Sequence, residues 1–101
     1  MFYDKKINIM KYVEGYKDDF GIWHNGSLVI DKIIECDVQP ITKEIAFKVF
    51  GVDENVKYRI FSDPDVNFKV GTVIQYNDKQ YWVISLLEWD YFDSIVGDYN
   101  G

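Results

Sequence analysis

The stretch from residue 72 to residue 87 constrains this chain more than any other. Two runs rich in β-branched and aromatic residues, 72–76 and 79–87, flank the dipeptide Asn77-Asp78, two residue types that tolerate left-handed backbone. The arrangement predicts a β-hairpin with a two-residue turn, which places Ile74 opposite Tyr81 and Val73 opposite Trp82. An isolated hairpin is marginal in water, so the remaining residues must complete a sheet around it. The second run is apolar on both faces: Tyr81, Val83 and Leu87 share one with Ser85, and Trp82, Ile84 and Leu86 share the other. Only one face of a strand points into a small barrel. The other must be covered, either by a helix of the same chain or by another subunit.

The rest of the chain supplies matching pieces. Residues 7–13 alternate as a strand that ends at Glu14-Gly15. Residues 16–27 read as a loop, with Gly15, Gly21 and Gly26 giving backbone freedom and Tyr16, Phe20 and Trp23 giving bulk. A long strand follows over 28–39, with Ile30, Lys32, Ile34, Cys36 and Val38 on its inward face, and Lys32 marks where a bulge would fall. Pro40 ends it for want of an N–H. Between 41 and 51 the spacing turns helical (Ile41, Ile45, Val49; Ala46, Phe50), with Thr42 as N-cap and Gly51 as C-cap. Residues 56–61 alternate cleanly as a strand, and 91–96 form the last one. The fold class expected is mainly β: a small antiparallel β-barrel or rolled sheet of about five to seven strands with one short helix. No repeat or linker divides the 101 residues, so 1–101 is one domain.

Composition narrows the function. Apolar residues are 48% and aromatics 18% of the chain, too many for an acidic disordered segment. Seventeen acidic against eleven basic side chains leave six net negative charges, and the longest basic run is Lys5-Lys6, which argues against binding along nucleic acid. The acidic pairs Asp18-Asp19 and Asp53-Glu54 read as solvated turn corners. A single cysteine excludes an internal disulfide and a cysteine zinc cluster, which suits a reducing compartment. The first residues, Met1 to Lys6, hold no apolar run of leader length, and no stretch is apolar enough to span a membrane. A soluble chain without a leader or membrane contact is expected.

Catalytic and metal chemistry find little material. The one histidine, His24, lies in a glycine-rich loop with no nucleophile beside it. Cys36 sits mid-strand on the apolar face and reads as core. Asp63-Pro64-Asp65-Val66-Asn67 imitates the start of a calcium loop, but Phe68 stands where glycine is needed and Ile74 where a bidentate glutamate is needed. No cofactor and no enzymatic activity are expected. The aromatics at loop and strand-end positions, Trp23, Trp89, Tyr91 and Phe92, fit protein contact better than base stacking, since basic neighbours are sparse.

From Cys36 onward the order of elements resembles the small head-tail joining proteins of tailed bacteriophages, also called head-closure, stopper or minor capsid proteins. The resemblance is carried by Glu35-Cys36-Asp37-Val38-Gln39-Pro40, by the helix with Ala46-Phe47-Lys48-Val49-Phe50-Gly51, by Tyr58-Arg59-Ile60-Phe61, and by the hairpin Val70-Gly71-Thr72-Val73-Ile74-Gln75-Tyr76-Asn77 with Lys79-Gln80-Tyr81-Trp82-Val83-Ile84. It implies a noncatalytic β-barrel of a virion or prophage. Such a subunit assembles as a ring below the portal, joins head to tail and helps keep the genome in. Its partners would be copies of itself, a portal or adaptor protein on the head side and a tail-completion protein on the tail side, with DNA passing nearby unbound. Phe20, Trp23, Trp82, Ile84, Trp89, Tyr91 and Phe92 are then the candidate subunit or partner contacts. Thr42, Lys43, Glu44, Asp53 and Glu54 are the candidate channel segment, and negative charge there would let DNA slide. The alternative is a protein-binding adaptor domain of SH3-like or OB-like type.

Overall fold

A computed structural model describes residues 4–65 and 67–99. Met1 to Tyr3, on which part of the leader reading rests, and Val66 of the calcium-like turn lie outside the described residues. The elements are β1 (Lys5–Val13), β2 (Tyr16–Lys17), β3 (Trp23–His24), β4 (Ser27–Pro40), α1 (Lys43–Phe50), β5 (Tyr58–Ser62), β6 (Val73–Tyr76), β7 (Lys79–Glu88) and β8 (Phe92–Asp98). Six of them close an antiparallel barrel in the order β1-β4-β5-β8-β7-β6. The seam joins β6 to β1 through only two residue pairs, Asn8 with Gln75 and Ile9 with Ile74, and the Asn8 amide donates to Gln75 Oε1 at 3.1 Å.

The hairpin register is the one that its turn dictates: Ile74 pairs with Tyr81 and Val73 with Trp82. Asn77 and Asp78 hold φ of 50° and 65°, the left-handed pair that matches the twist of the flanking strands. Alternation then directs Ile7, Ile9, Cys36, Val38, Ile60, Ile74, Tyr81, Val83 and Val96 into the barrel, where they pack with Phe68 from the β5–β6 connection. Each fully buried Ile or Val side chain contributes about 1.5–3 kcal/mol relative to exposure.

Two bulges reset this alternation. On β4, Ile9 pairs with Lys32 and Met10 with Ile30, which leaves Asp31 as the extra residue. The bulge expected at Lys32 thus falls one residue earlier, and the inward placement of Ile30 is corrected: Ile30 is 52% exposed, because the strand has left the barrel by that point. On β7, Val83 pairs with Val96 and Ser85 with Ile95, so Ile84 is the extra residue. Leu86 therefore returns to the core side, not the side shared with Trp82, and packs against the core with Phe92.

The second face of β7 and β8 is covered from within the chain. α1 packs against β7, Ala46 is fully buried, and Ile95, on the opposite side of β8 from Val96, is buried as well. Ile84 lies close to Gly97, under the Asn55 carbonyl: a Cβ at Gly97 would come within 2.8 Å of Ile84 Cδ1 and 2.7 Å of Asn55 O. The helix ends are those read from sequence. Thr42 Oγ1 accepts from the Ile45 N–H at 3.2 Å, and Gly51 adopts φ 69° with its N–H on the Phe47 carbonyl at 2.9 Å.

Candidate docking surfaces

Past the Asp31 bulge, β1 and β4 continue as a two-stranded arm. Its presence gives extents of 54 × 26 × 22 Å and a radius of gyration of 15.4 Å, against about 13 Å for a compact chain of this length. The segment 16–27, expected as a loop, instead caps the arm with the small sheet of β2 and β3, Tyr16 pairing with His24 and Lys17 with Trp23. Asp18 organises the turn. Its Oδ1 accepts from the N–H groups of Phe20 and Ile22 at 2.9 Å each, and its Oδ2 lies 2.9 Å from His24 Nε2. The bond to His24 and then those to the backbone hold the Asp18 carboxyl below the usual aspartate range. His24 also stacks on Tyr16 at 4.7 Å. Two glycines make room for aromatics: a Cβ at Gly15 would meet Trp23 Cζ2 at 2.6 Å, and one at Gly26 would meet Tyr12 Oη at 2.1 Å.

The tip therefore presents its apolar side chains outward in a held conformation. Phe20 is 89% exposed and Trp23 62%, and Trp23 Nε1 donates to Asn25 Oδ1 at 2.9 Å. Tyr12, Tyr16 and Ile22 are exposed beside them. Sequence reading singles out Phe20 and Trp23 but not Ile22 or Tyr12. The strict alternation of β1 up to Val13 is the signal for Tyr12, once the arm is known to leave the barrel.

A second exposed apolar face belongs to α1, which leaves from the opposite end of β4. Ala46 turns inward, whereas Ile45, Phe47 and Val49 face solvent. The helix is tied down through its last residue. The Arg59 guanidinium lies 5.7 Å from the Phe50 ring and 4.9 Å from the Phe61 ring, and it grips Asp93 with two bonds, Nε to Oδ1 at 2.9 Å and Nη2 to Oδ2 at 2.7 Å. Those bonds to Asp93 raise the pKa of Arg59. In the candidate channel segment, Thr42 is occupied as the cap, Lys43 pairs with Asp53 at 3.3 Å, Glu44 pairs with Lys48 at 3.4 Å, and Glu54 is exposed. The pairs are exposed and contribute little to stability.

The remaining candidate contacts separate. Trp89 is 61% exposed in the tight β7–β8 turn, where its N–H reaches the Tyr91 carbonyl at 2.8 Å. Strand directions put this turn at the arm end of the barrel, since Glu88 pairs with Phe92, Phe92 with Ser62 and Ser62 with Cys36. Tyr91 is half-buried beside Phe61, and Phe92 stacks on the core residue Phe68 at 6.5 Å. Phe92 is half-buried and packs against the core, because β8 starts at that position. Trp82 and Ile84 are half-buried on the barrel wall, Ile84 under the connection from α1. The structure unites Phe20 and Trp23 on the arm, with Trp89 at the same end, and does not unite the others with them.

Reactive chemistry is sparse. Among the described residues no group of three or more His, Cys, Asp or Glu side chains could hold a metal ion, and no helix is long and apolar enough to cross a membrane. In the calcium-like turn, Asp65 is engaged by Lys32 and by the Asn67 N–H, while Phe68 is buried in the core. Cys36 is fully buried, and burial pushes its thiol up to about 12. No protein-family model matches the chain, and no curated protein matches it.

Proposed function

We propose that the protein is a noncatalytic structural subunit of a phage or prophage virion. It forms a ring between portal and tail that joins the head to the tail and helps retain DNA. It assembles in the bacterial host cytoplasm and ends in the virion. The observation that carries this reading is the polarity of the molecule: an aromatic-tipped arm projects from one end of β4, and a helix with an exposed apolar face follows the other end. A subunit placed between two neighbours needs two separate docking surfaces on a rigid body, and these two fit that need. The residue patterns from Glu35 to Ile84 that resemble head-tail joining proteins supply the choice of assembly.

In this reading Phe20 and Trp23, with Trp89 behind them, meet a portal, adaptor or tail-completion protein. Thr42, Lys43, Glu44, Asp53 and Glu54 lie toward the channel. Two basic and three acidic side chains in 43–54 leave that segment mildly negative, which disfavours phosphate adhesion. Complementation tests the proposal. A phage lacking the gene is expected to make filled heads and free tails that do not join, and a Phe20→Ser, Trp23→Ser double variant is expected to restore joining poorly although it folds. Normal virions without the gene would refute the reading and leave an SH3-like or OB-like adaptor as the better description.

A further inference from the structure

Asn25 and Gly26 join β3 to β4 at the root of the tip. The asparagines at 8, 55, 67 and 77 precede Ile9, Val56, Phe68 and Asp78, whereas Asn25 precedes a glycine, as does Asn100, which lies outside the described residues. The fold demands that glycine, because a Cβ at Gly26 would run into the Tyr12 hydroxyl and the Val13 carbonyl. The same packing leaves the Gly26 nitrogen uncovered. Gly15 faces it without a side chain, where a Cβ would stand 3.2 Å from that nitrogen. Among the described residues no backbone carbonyl outside the strand ladders accepts from the Gly26 N–H. Asn25 itself is exposed, and its Oδ1 accepts from Trp23 Nε1 at 2.9 Å. An indole N–H only donates, so this bond fixes which way round the amide sits, with the oxygen on the indole and Nδ2 on the far side.

We propose that Asn25 is a site of spontaneous deamidation through Gly26, and that the change unlocks the tip. The Gly26 nitrogen gives its proton to water or hydroxide and attacks Asn25 Cγ. A bond forms between that nitrogen and Cγ, the Cγ–Nδ2 bond breaks, and ammonia leaves with a proton taken from solvent. The product is a five-membered succinimide, which water opens at either carbonyl. Opening at Cγ gives aspartate, and opening at the main-chain carbonyl gives isoaspartate; water is the co-reactant and nothing is oxidised or reduced. The indole N–H on Oδ1 favours the attack, since negative charge gathers on that oxygen as the nitrogen adds. A side chain at position 26 would hinder ring closure, and glycine has none.

Isoaspartate routes the main chain through Cγ, so the two-residue link between β3 and β4 grows by one atom. The carboxylate left on Cα no longer stands where Trp23 Nε1 finds its partner. The pairs of Tyr16 with His24 and Lys17 with Trp23 then lose the tether that holds β3 in place. Resting on the reading that the tip docks a neighbour, the reaction limits how long an undocked subunit stays competent, since docking would cover Asn25.

The test ages the full chain, folded and unfolded in urea, in the same mildly alkaline buffer. Peptide mass mapping with an isoaspartyl methyltransferase label reads position 25, and amide exchange reads the tip. Asn25 is expected to lose its amide in the folded chain at a rate within about tenfold of the unfolded one, as a locally open site should. Amides at 16–24 of the aged chain are expected to exchange at least about tenfold faster, with those of the barrel unchanged. Asn25→Gln, which closes a ring far less readily, should show neither change, and Asn25→Asp, which adds charge without lengthening the chain, should keep the slow exchange. An Asn25 that stays intact when folded and is lost when unfolded would overturn the proposal. So would modification without faster exchange, an Asn25→Gln chain that ages like the wild type, or an Asn25→Asp tip as loose as the aged one. These readouts involve no partner, so their failure leaves the head-tail proposal standing, and failure in complementation leaves the deamidation standing.

Discussion

Replacing Arg59 by methionine should be among the costlier single changes outside the core. The Asp93 side chain is 4% exposed, and both of its oxygens are held by Arg59. Methionine keeps the packing of the stem but leaves a buried carboxylate without a partner. Removing one member of a buried pair costs about 3–5 kcal/mol. Arg59 is itself 25% exposed, so water can reach the site from that side and the expected loss is at the lower end, about 3 kcal/mol. Loss of the cation contacts to Phe50 and Phe61 adds about 0.5 kcal/mol each. Urea denaturation followed by tryptophan fluorescence at neutral pH measures the sum, about 3–4 kcal/mol. A second change, Asp93→Asn added to Arg59→Met, removes the stranded charge and should recover about 1 kcal/mol or more. A single variant within about 1 kcal/mol of wild type, or a double variant no more stable than the single, would refute this view of how α1 is clamped to the barrel.

Ile74→Ala should cost about 2–5 kcal/mol by chemical denaturation, since Ile74 is fully buried at the barrel seam, whereas Phe20→Ser should stay within about 0.5 kcal/mol. Gly26→Ala places a methyl group 2.1 Å from Tyr12 Oη and 2.8 Å from the Val13 carbonyl, so amide exchange should speed up along the arm while the barrel amides keep their protection. Cys36 should resist thiol reagents at pH 8 in the folded chain and react on unfolding, and rapid labelling of the native protein would contradict its burial. The Asp18 carboxyl is favoured in its charged form by the folded turn, so its contribution is present above the ordinary aspartate pKa and is lost as pH falls through the lower folded value. A carbon-detected titration should place its midpoint below 3.8, and a midpoint at or above 3.8 would contradict the bonds drawn to Asp18.

Much of the barrel was legible from short-range pattern. Asn77-Asp78 set the hairpin register, Thr42 and Gly51 set the helix ends, and the alternation ending in Tyr58-Arg59-Ile60-Phe61 marked β5. What escaped depends on single inserted residues. The bulges at Asp31 and Ile84 each flip every side chain beyond them, and nothing in local composition separates a bulge at Asp31 from one at Lys32. The arm escaped for the same reason, because Ile30 reads as an inward residue until the bulge turns it out. The tip sheet was hidden because its strands are two residues long and are held by one aspartate, Asp18, not by periodicity. Of the candidate contacts, Phe20, Trp23 and Trp89 lie exposed in the tip and in the β7–β8 turn, and Trp82, Ile84 and Phe92, on the long barrel strands, are half-buried.

Cryo-electron microscopy of the purified chain mixed with the portal ring encoded by the same genome separates assembly from independence. A head-tail joining subunit is expected to add a ring of barrels to one end of the portal, with the arm tip carrying Phe20 and Trp23 in contact with a neighbour. Bare portal rings beside unassembled chain at saturating concentration, or a genome with no portal gene, would contradict it.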